Sequence, residues 1–289
     1  MPTISAVHSN VLDLIGNTPL LKISINESTI FAKLEKTNPF GSVKDRVAFG
    51  LIEQAEREGF LQKGDTIVEA SSGNTAIGLA SISQIRNYKI KIVLPEGASI
   101  ERVKLLKKLG AELIFVPRED WGKNAIENVK ELANKNNWKF LNQYENNANV
   151  EAHKKTGQEI IKQLNGVNPD VLVLGIGTGG TITGISEILK KEFPKIKVVG
   201  IVPKGKIEGI RDINVFTPKI LNKNLIDYFI EISEEEMESS FNELVSVGIL
   251  VGKSSAAAFA ASKKIIFESK TKNVITLFPD GIEKYLSYI

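Results

Sequence analysis

Short apolar runs recur along the chain, each followed by a turn and then by a longer stretch whose apolar residues return every three or four positions. The runs at 30–34, 66–69, 90–94, 113–116, 171–174, 198–202 and 274–278 read as strands. Several are apolar throughout rather than alternating, as parallel strands covered on both faces are. The stretches at 43–57, 75–84, 100–109, 123–135, 150–163, 182–192, 234–247 and 255–268 carry the helical spacing. Gly59, Gly110 and Gly248 follow three of them, where helix C-terminal caps favour glycine. Strand and helix in alternation predict α/β layers built on parallel sheets. An Asn-rich stretch at 142–150 separates two strand–helix series and marks a candidate boundary, with a glycine-bearing loop on either side. A ligand between two such units would touch both.

Composition narrows the class. The 289 residues suffice for one large domain or two medium ones, and 42% hydrophobic with 25% charged residues is a globular balance. The net charge of +3 is spread along the chain, without the basic tract or arginine-rich arm of a nucleic-acid binder. There is no cysteine and there are only two histidines, which removes disulfides, thiolate metal sites and most histidine-based ones. No apolar run is long enough to span a bilayer, and Met1 to Asn10 lack a signal-peptide pattern. A soluble protein of the cytoplasm, with no nucleic acid or membrane partner, is the expectation.

Three segments could carry chemistry. Ser71-Ser72-Gly73-Asn74-Thr75 lies between a strand and a helix, where free backbone N–H groups and the helix dipole attract an anion. Gly175-Ile176-Gly177-Thr178-Gly179-Gly180-Thr181 occupies the same kind of junction, and its glycines let successive N–H groups converge on one phosphate. Gly175, Gly177 and Gly180 also fit G-x-G-x-x-G, so a nucleotide-binding module stays open. Against it, the following strand ends in Val202-Pro203-Lys204, with no acidic residue to hold a ribose. In Ser42-Val43-Lys44-Asp45-Arg46, Ser42 and Asp45 suggest a capping box that puts Lys44 in the first helical turn. Burial and the helix dipole would there favour a neutral amine, the form that attacks an aldehyde. A surface lysine and an ordinary serine-capped turn are the plainer readings of each segment alone. Together, the three suit a pyridoxal phosphate enzyme.

The motif series resembles the cysteine synthase branch of the fold-type II, tryptophan synthase β-like pyridoxal phosphate enzymes. It runs through Ile15-Gly16-Asn17-Thr18-Pro19-Leu20, Lys36-Thr37-Asn38-Pro39, Ser42–Arg46 and Ser72–Thr75. It continues with Ser99-Ile100-Glu101-Arg102, Gly177–Thr181, Gly252-Lys253-Ser254-Ser255 and Tyr285-Leu286-Ser287. The resemblance implies two open, mostly parallel sheets flanked by helices, with the active site between them. It implies a smaller mobile domain at 38–145 and a larger one at 1–37 plus 146–289, paired as a homodimer. Lys44 would be the Schiff-base lysine and the base for the substrate α-proton, and Asn74 would bind the 3′-oxygen of pyridoxal 5′-phosphate. Gly177, Thr178, Gly179, Gly180 and Thr181 would hold the phosphate, and Ser254 would face the pyridine nitrogen. Ser71, Ser72, Gly73, Thr75 and Gln143 would bind the substrate carboxylate. His153 reads as structural.

The implied activity is β-replacement, converting O-acetylserine or O-phosphoserine and sulfide to L-cysteine. A cystathionine β-synthase-like reaction of serine and a serine or threonine dehydratase are the alternatives on the same fold. The segment at 205–218 is shorter than in the common O-acetylserine enzymes and is similar to the cysteine synthase B subgroup. In relatives that use O-phosphoserine an arginine in this region holds the substrate phosphate, and Arg211 falls at about that place. Ser71, Ala76 and Ala256 depart from the family's usual threonine, glycine and glycine, which bears on substrate preference.

Overall fold

The computed structural model describes residues 7–120, 123–269 and 271–285. Leu286 and Ser287 of the last motif lie outside the described residues. The strands are β1 (Leu20–Ile25), β2 (Ser28–Leu34), β3 (Thr66–Ala70), β4 (Lys89–Pro95) and β5 (Glu112–Val116), followed by β6 (Lys139–Phe140), β7 (Val171–Gly175), β8 (Lys197–Lys204), β9 (Tyr228–Ser233) and β10 (Asn273–Phe278). They make two sheets. One runs β1-β2-β10-β7-β8-β9 and the other β5-β4-β3-β6. Every pairing is parallel except the β1–β2 hairpin.

The expected strands are all present. The sequence reading missed β1, β6 and β9. All three lie at sheet edges, where one side of the strand is uncovered. In β1, Lys22 and Ser24 are exposed between half-buried apolar neighbours, and β9 opens on exposed Tyr228 and Phe229. Such strands lack the continuous apolar run that marks the central ones.

The helices are α1 (Lys44–Arg57), α2 (Asn74–Arg86), α3 (Ile100–Lys108), α4 (Lys123–Asn136), α5 (Ala148–Leu164), α6 (Gly180–Glu192), α7 (Glu234–Ser246) and α8 (Lys253–Ser269). They cover both faces of each sheet. In β7, Val171 and Val173 join the core under α7 and α8, whereas Leu172 and Leu174 join the core under α5 and α6. In the smaller sheet Ile67 packs with α1 and α2, and Val68 packs with α4. Period-two alternation therefore feeds apolar side chains to both faces, which is why these strands read as unbroken apolar runs.

A buried charge network joins β2, α1 and α5. Arg46 donates through Nε to Glu35 at 2.8 Å and through Nη1 to Glu159 at 2.7 Å, and Lys33 Nζ lies 2.8 Å from Glu159. The hydroxyl of Thr18 donates to Glu35 at 2.7 Å. Burial alone would raise the Glu159 carboxyl, but the hydrogen bonds and charges of Arg46 and Lys33 outweigh it and bring it down to about 2.

Helices α5 and α6 pack backbone to backbone at glycines. A Cβ on Gly180 would stand 2.0 Å from Asn149 Oδ1, and one on Gly184 would stand 2.3 Å from the Val150 carbonyl oxygen. Close approach here seats α5 directly behind the loop that begins α6. Gly184→Ala must force the two backbones apart. It is expected to destabilise the protein by about 1–3 kcal/mol, the range for overpacking. A denaturant melt against the wild type measures the difference.

Candidate active site

Lys44 opens α1, and its helix start is tied to the end of β10. Val43 donates to the Pro279 carbonyl at 2.8 Å, and Ser42 pairs with Asp280 in a short antiparallel bridge. The cap differs from the expected capping box. The Ser42 hydroxyl oxygen accepts the Lys44 N–H at 3.2 Å, and the Asp45 carboxylate reaches back to the Phe40 N–H at 2.7 Å, not to that of Ser42. Asp45 still closes the turn, but two residues earlier, because the chain folds over it at Phe40-Gly41. Burial pushes the Asp45 carboxyl up to about 7 against the hydrogen bonds from Phe40 and Ser42.

Lys44 lines a cavity of about 420 Å³ at the carboxyl ends of β3, β7, β8 and β10. That is where parallel sheets leave room for ligands, and the volume suits a small organic molecule. Three predicted loops meet there. Ser71, Ser72, Gly73, Asn74 and Thr75 come from the β3–α2 junction, and Gln143 faces them across the cavity wall. Gly177, Thr178 and Thr181 come from the β7–α6 junction. Ser254, in the first turn of α8, and Arg211, after β8, complete the predicted set. Gly179 and Gly180 are buried behind this lining, with Gly179 at φ 88° against Leu221 and Gly180 against Asn149.

Hydrogen bonds fix these loops before any ligand arrives. Ser71 Oγ accepts the N–H groups of Gly73 and Ala76, each at 3.3 Å. The Thr75 hydroxyl donates to Gln143 Oε1 at 2.6 Å, so the two proposed carboxylate contacts hold each other. Asn149 Nδ2 donates to Thr178 Oγ1 at 2.9 Å and to the Gln143 carbonyl at 2.8 Å. With its oxygen already accepting, Thr178 keeps its hydroxyl hydrogen to donate. His153 stands 3.1 Å from the Thr181 hydroxyl through Nε2 and 3.3 Å from Thr156 through Nδ1. Burial, with Lys44 and Arg46 adding to it, holds its pKa well below the usual imidazole value. His153 is thus neutral and supports Thr181 from behind.

Burial also lowers the Lys44 amine to about 8, against the opposing pull of Asp280. Lys44 is half-buried and lines the cavity. The Arg211 guanidinium lies over the rings of Tyr144 and Phe216, with centroids at 5.2 and 4.8 Å, and donates to the Tyr144 hydroxyl at 3.0 Å. Its Nε has no hydrogen-bond partner.

Sequence reasoning missed several lining groups. Asp280 accepts from Asn74 at 2.6 Å and from the Tyr285 hydroxyl at 2.9 Å. Arg102 bridges the cavity mouth to Glu208 at 2.6 Å. Asn149 braces two loops at once. The signal for Asp280 was its place in Pro279-Asp280-Gly281, directly after a strand expected to be parallel. Arg102 stood in the 99–102 motif but with no role attached, and Glu208 carried no signal, since a charged residue in a loop is an ordinary surface feature.

An amine whose pKa burial has lowered to about 8, a preformed glycine loop with a free hydroxyl donor and a second anion loop share one cavity. This donor set fits an aldehyde-bearing phosphate ester. The family of pyridoxal-phosphate dependent enzymes matches residues 11–280. The chain is 41% identical to a cysteine synthase of Staphylococcus aureus over 96% of this chain and 95% of that one. It is 40% identical to cysteine synthase B of Campylobacter jejuni, over 97% and 98% of the two chains. It superposes on an O-acetylserine-dependent cystathionine β-synthase of Helicobacter pylori with a TM-score of 0.91 at 35% identity, covering 99% of this chain and 100% of that one. The chain belongs to the family of pyridoxal-phosphate dependent enzymes, in its cysteine synthase-like branch.

Proposed function

We propose that the chain is a cysteine synthase, replacing the β-substituent of O-acetylserine or O-phosphoserine with sulfide to give L-cysteine and the released acetate or phosphate. The observation that carries this reading is the Lys44 amine, its pKa lowered by burial to about 8, in one cavity with the 71–75 and 177–181 loops. Bound pyridoxal phosphate supplies an electron sink that loosens the substrate α-proton and the β-leaving group.

The chain's own groups do the rest. Lys44 Nζ would hold the cofactor aldehyde and would take the α-proton, a task suited to an amine with a pKa of about 8. The N–H groups of 177–181 and the free hydroxyl hydrogen of Thr178 hold the phosphate. Asn74 donates to the cofactor's 3′-oxygen. Ser71, Ser72, Gly73, Thr75 and Gln143 hold the substrate carboxylate. Ser254 would offer the pyridine nitrogen a neutral hydroxyl, which supports positive charge there less than a carboxylate would. A weaker electron sink of this kind would suit β-elimination. The segment 38–145 closes over the substrate and excludes water. A cytoplasmic location, expected from the composition, and a homodimer, expected from the family resemblance, belong to the same proposal. The Helicobacter neighbour supports a second reading, in which a larger thiol replaces sulfide.

Initial rates with O-acetylserine, O-phosphoserine and serine at fixed sulfide test the activity. Cysteine must form in a sulfide-dependent manner, and release of ammonia and keto acid instead would point to a dehydratase. Lys44→Ala is expected to cut turnover by about 10²–10⁴-fold or more, the span of a positioned acid–base group. Its thermal midpoint should stay near wild type, and normal turnover in this variant would refute the assignment.

In the apoprotein, reductive methylation of Lys44 should rise with pH, because only the neutral amine reacts. Peptide mass spectrometry should place the midpoint near pH 8, against about 10 for exposed lysines. Arg211→Ala is expected to raise KM for O-phosphoserine about 10- to 100-fold, as loss of charge-assisted bonds to a phosphate implies. KM for O-acetylserine should move little, and an equal effect on both would remove Arg211 as a phosphate ligand.

A further inference from the structure

We propose that Asp280 is a positioning residue for the cofactor, because its carboxylate fixes which end of the Asn74 amide is presented to the cavity. The inference rests on the reading that Asn74 donates to the cofactor's 3′-oxygen.

A primary amide has two nearly isosteric ends, one that only donates and one that only accepts. Nothing in the shape of an asparagine decides between them, so its neighbours must. At Asn74 the decisive neighbour is Asp280, whose Oδ2 takes an N–H of Asn74 Nδ2 at 2.6 Å. The reversed amide would set a carbonyl oxygen against a carboxylate oxygen at that distance, with no proton between them. The nitrogen is therefore locked. Its second hydrogen remains for the cavity that Asn74 lines. A cofactor oxygen carrying negative charge requires such a donor, and a flipped amide would repel it.

Asp280 is itself immobilised. The Tyr285 hydroxyl donates to Oδ2 at 2.9 Å, and the Asp280 carbonyl accepts the Gly252 N–H at 3.0 Å. A Cβ on Gly252 would stand 2.1 Å from Asp280 Oδ1, so only glycine leaves the carboxylate its room. Asp280 is 2% exposed and its Oδ1 has no hydrogen-bond partner. A buried carboxylate with an unpartnered oxygen is costly, which is hard to account for by stability alone. The contact also crosses between the two sheets. Asn74 begins α2 of the smaller sheet, and Asp280 follows β10 of the larger one.

Asp280 could act by another route, since its charge also raises the Lys44 amine. A double-mutant cycle separates the two. Apoproteins of the wild type, Asp280→Asn, Asn74→Ala and the double variant are titrated with pyridoxal phosphate, and the dissociation constant is read by protein fluorescence. Asp280→Ala is run in parallel, and circular dichroism identifies the folded variants. Asn74→Ala is expected to weaken binding about tenfold, the loss of one charge-assisted hydrogen bond. Asp280→Asn should weaken it comparably, and the double variant should bind no more weakly than Asn74→Ala, to within about twofold.

A charge effect through Lys44 would persist without Asn74, so a double loss equal to the product of the single losses overturns the proposal. Wild-type affinity in a folded Asp280→Asn or Asp280→Ala also overturns it. Wild-type affinity in Asn74→Ala instead overturns the reading of Asn74 itself and takes this inference with it. The two failures are thus distinguishable, and neither readout depends on turnover.

Discussion

The buried guanidinium of Arg46 fixes where the first helix begins, and the position of Lys44, two residues earlier, follows from it. Arg46 faces Glu35 at the end of β2 and Glu159 on α5, so three elements distant in sequence share one charge centre. Taking these charges out of water is expensive, and their pairing roughly offsets that cost rather than adding a large net stability. What the network provides is uniqueness. A helix slipped by one residue would bury an unpaired charge, a fault on the order of 3–5 kcal/mol. A lysine that must meet a small ligand inside a cavity needs a backbone with no such alternative register.

Most of this architecture was legible in the residue pattern because the central strands are covered on both faces. Alternate side chains of β3 and β7 enter different cores, and the sequence records this as unbroken apolar runs. The edge strands β1, β6 and β9 are half covered or very short, and their pattern is too weak to stand out. The Asx, Ser and Gly signals at 42–45, 71–75 and 175–181 located the loops because local backbone chemistry dictates them. The groups that brace those loops were not legible. Asn149 lies 29 residues from Thr178, and Asp280 lies 206 residues from Asn74. Such pairs come together only through the sheet order, and neither partner differs in type from many surface residues.

The electrostatics of the cavity are set by burial more than by pairing. Lys44 falls to about 8, while Asp280 rises to about 6, each chiefly through desolvation. Their values approach each other, so a proton moves between amine and surroundings at small cost near neutrality. Glu69, buried beneath the 71–75 loop, rises to about 8 for the same reason. Acid and base strengths inside the cavity are thereby compressed toward the working range without any metal-type cluster among the described residues.

The cavity walls are drawn from separate loops that share no secondary structure. One set of loops, after β3 and β7, is locked by Gln143, Asn149 and His153. The stretch after β8 that carries Glu208 and Arg211 forms another part of the wall, held by the Arg211 N–H on the Ile176 carbonyl at 2.7 Å and by buried Ile207, Ile210 and Ile213. Substitutions of the two charged side chains it turns to the cavity, Glu208 and Arg211, can reshape what the cavity admits while its buried isoleucines keep the loop and the cores in place. Selection could therefore exchange one leaving group or incoming nucleophile for another as a local edit, leaving the inherited chemical apparatus untouched.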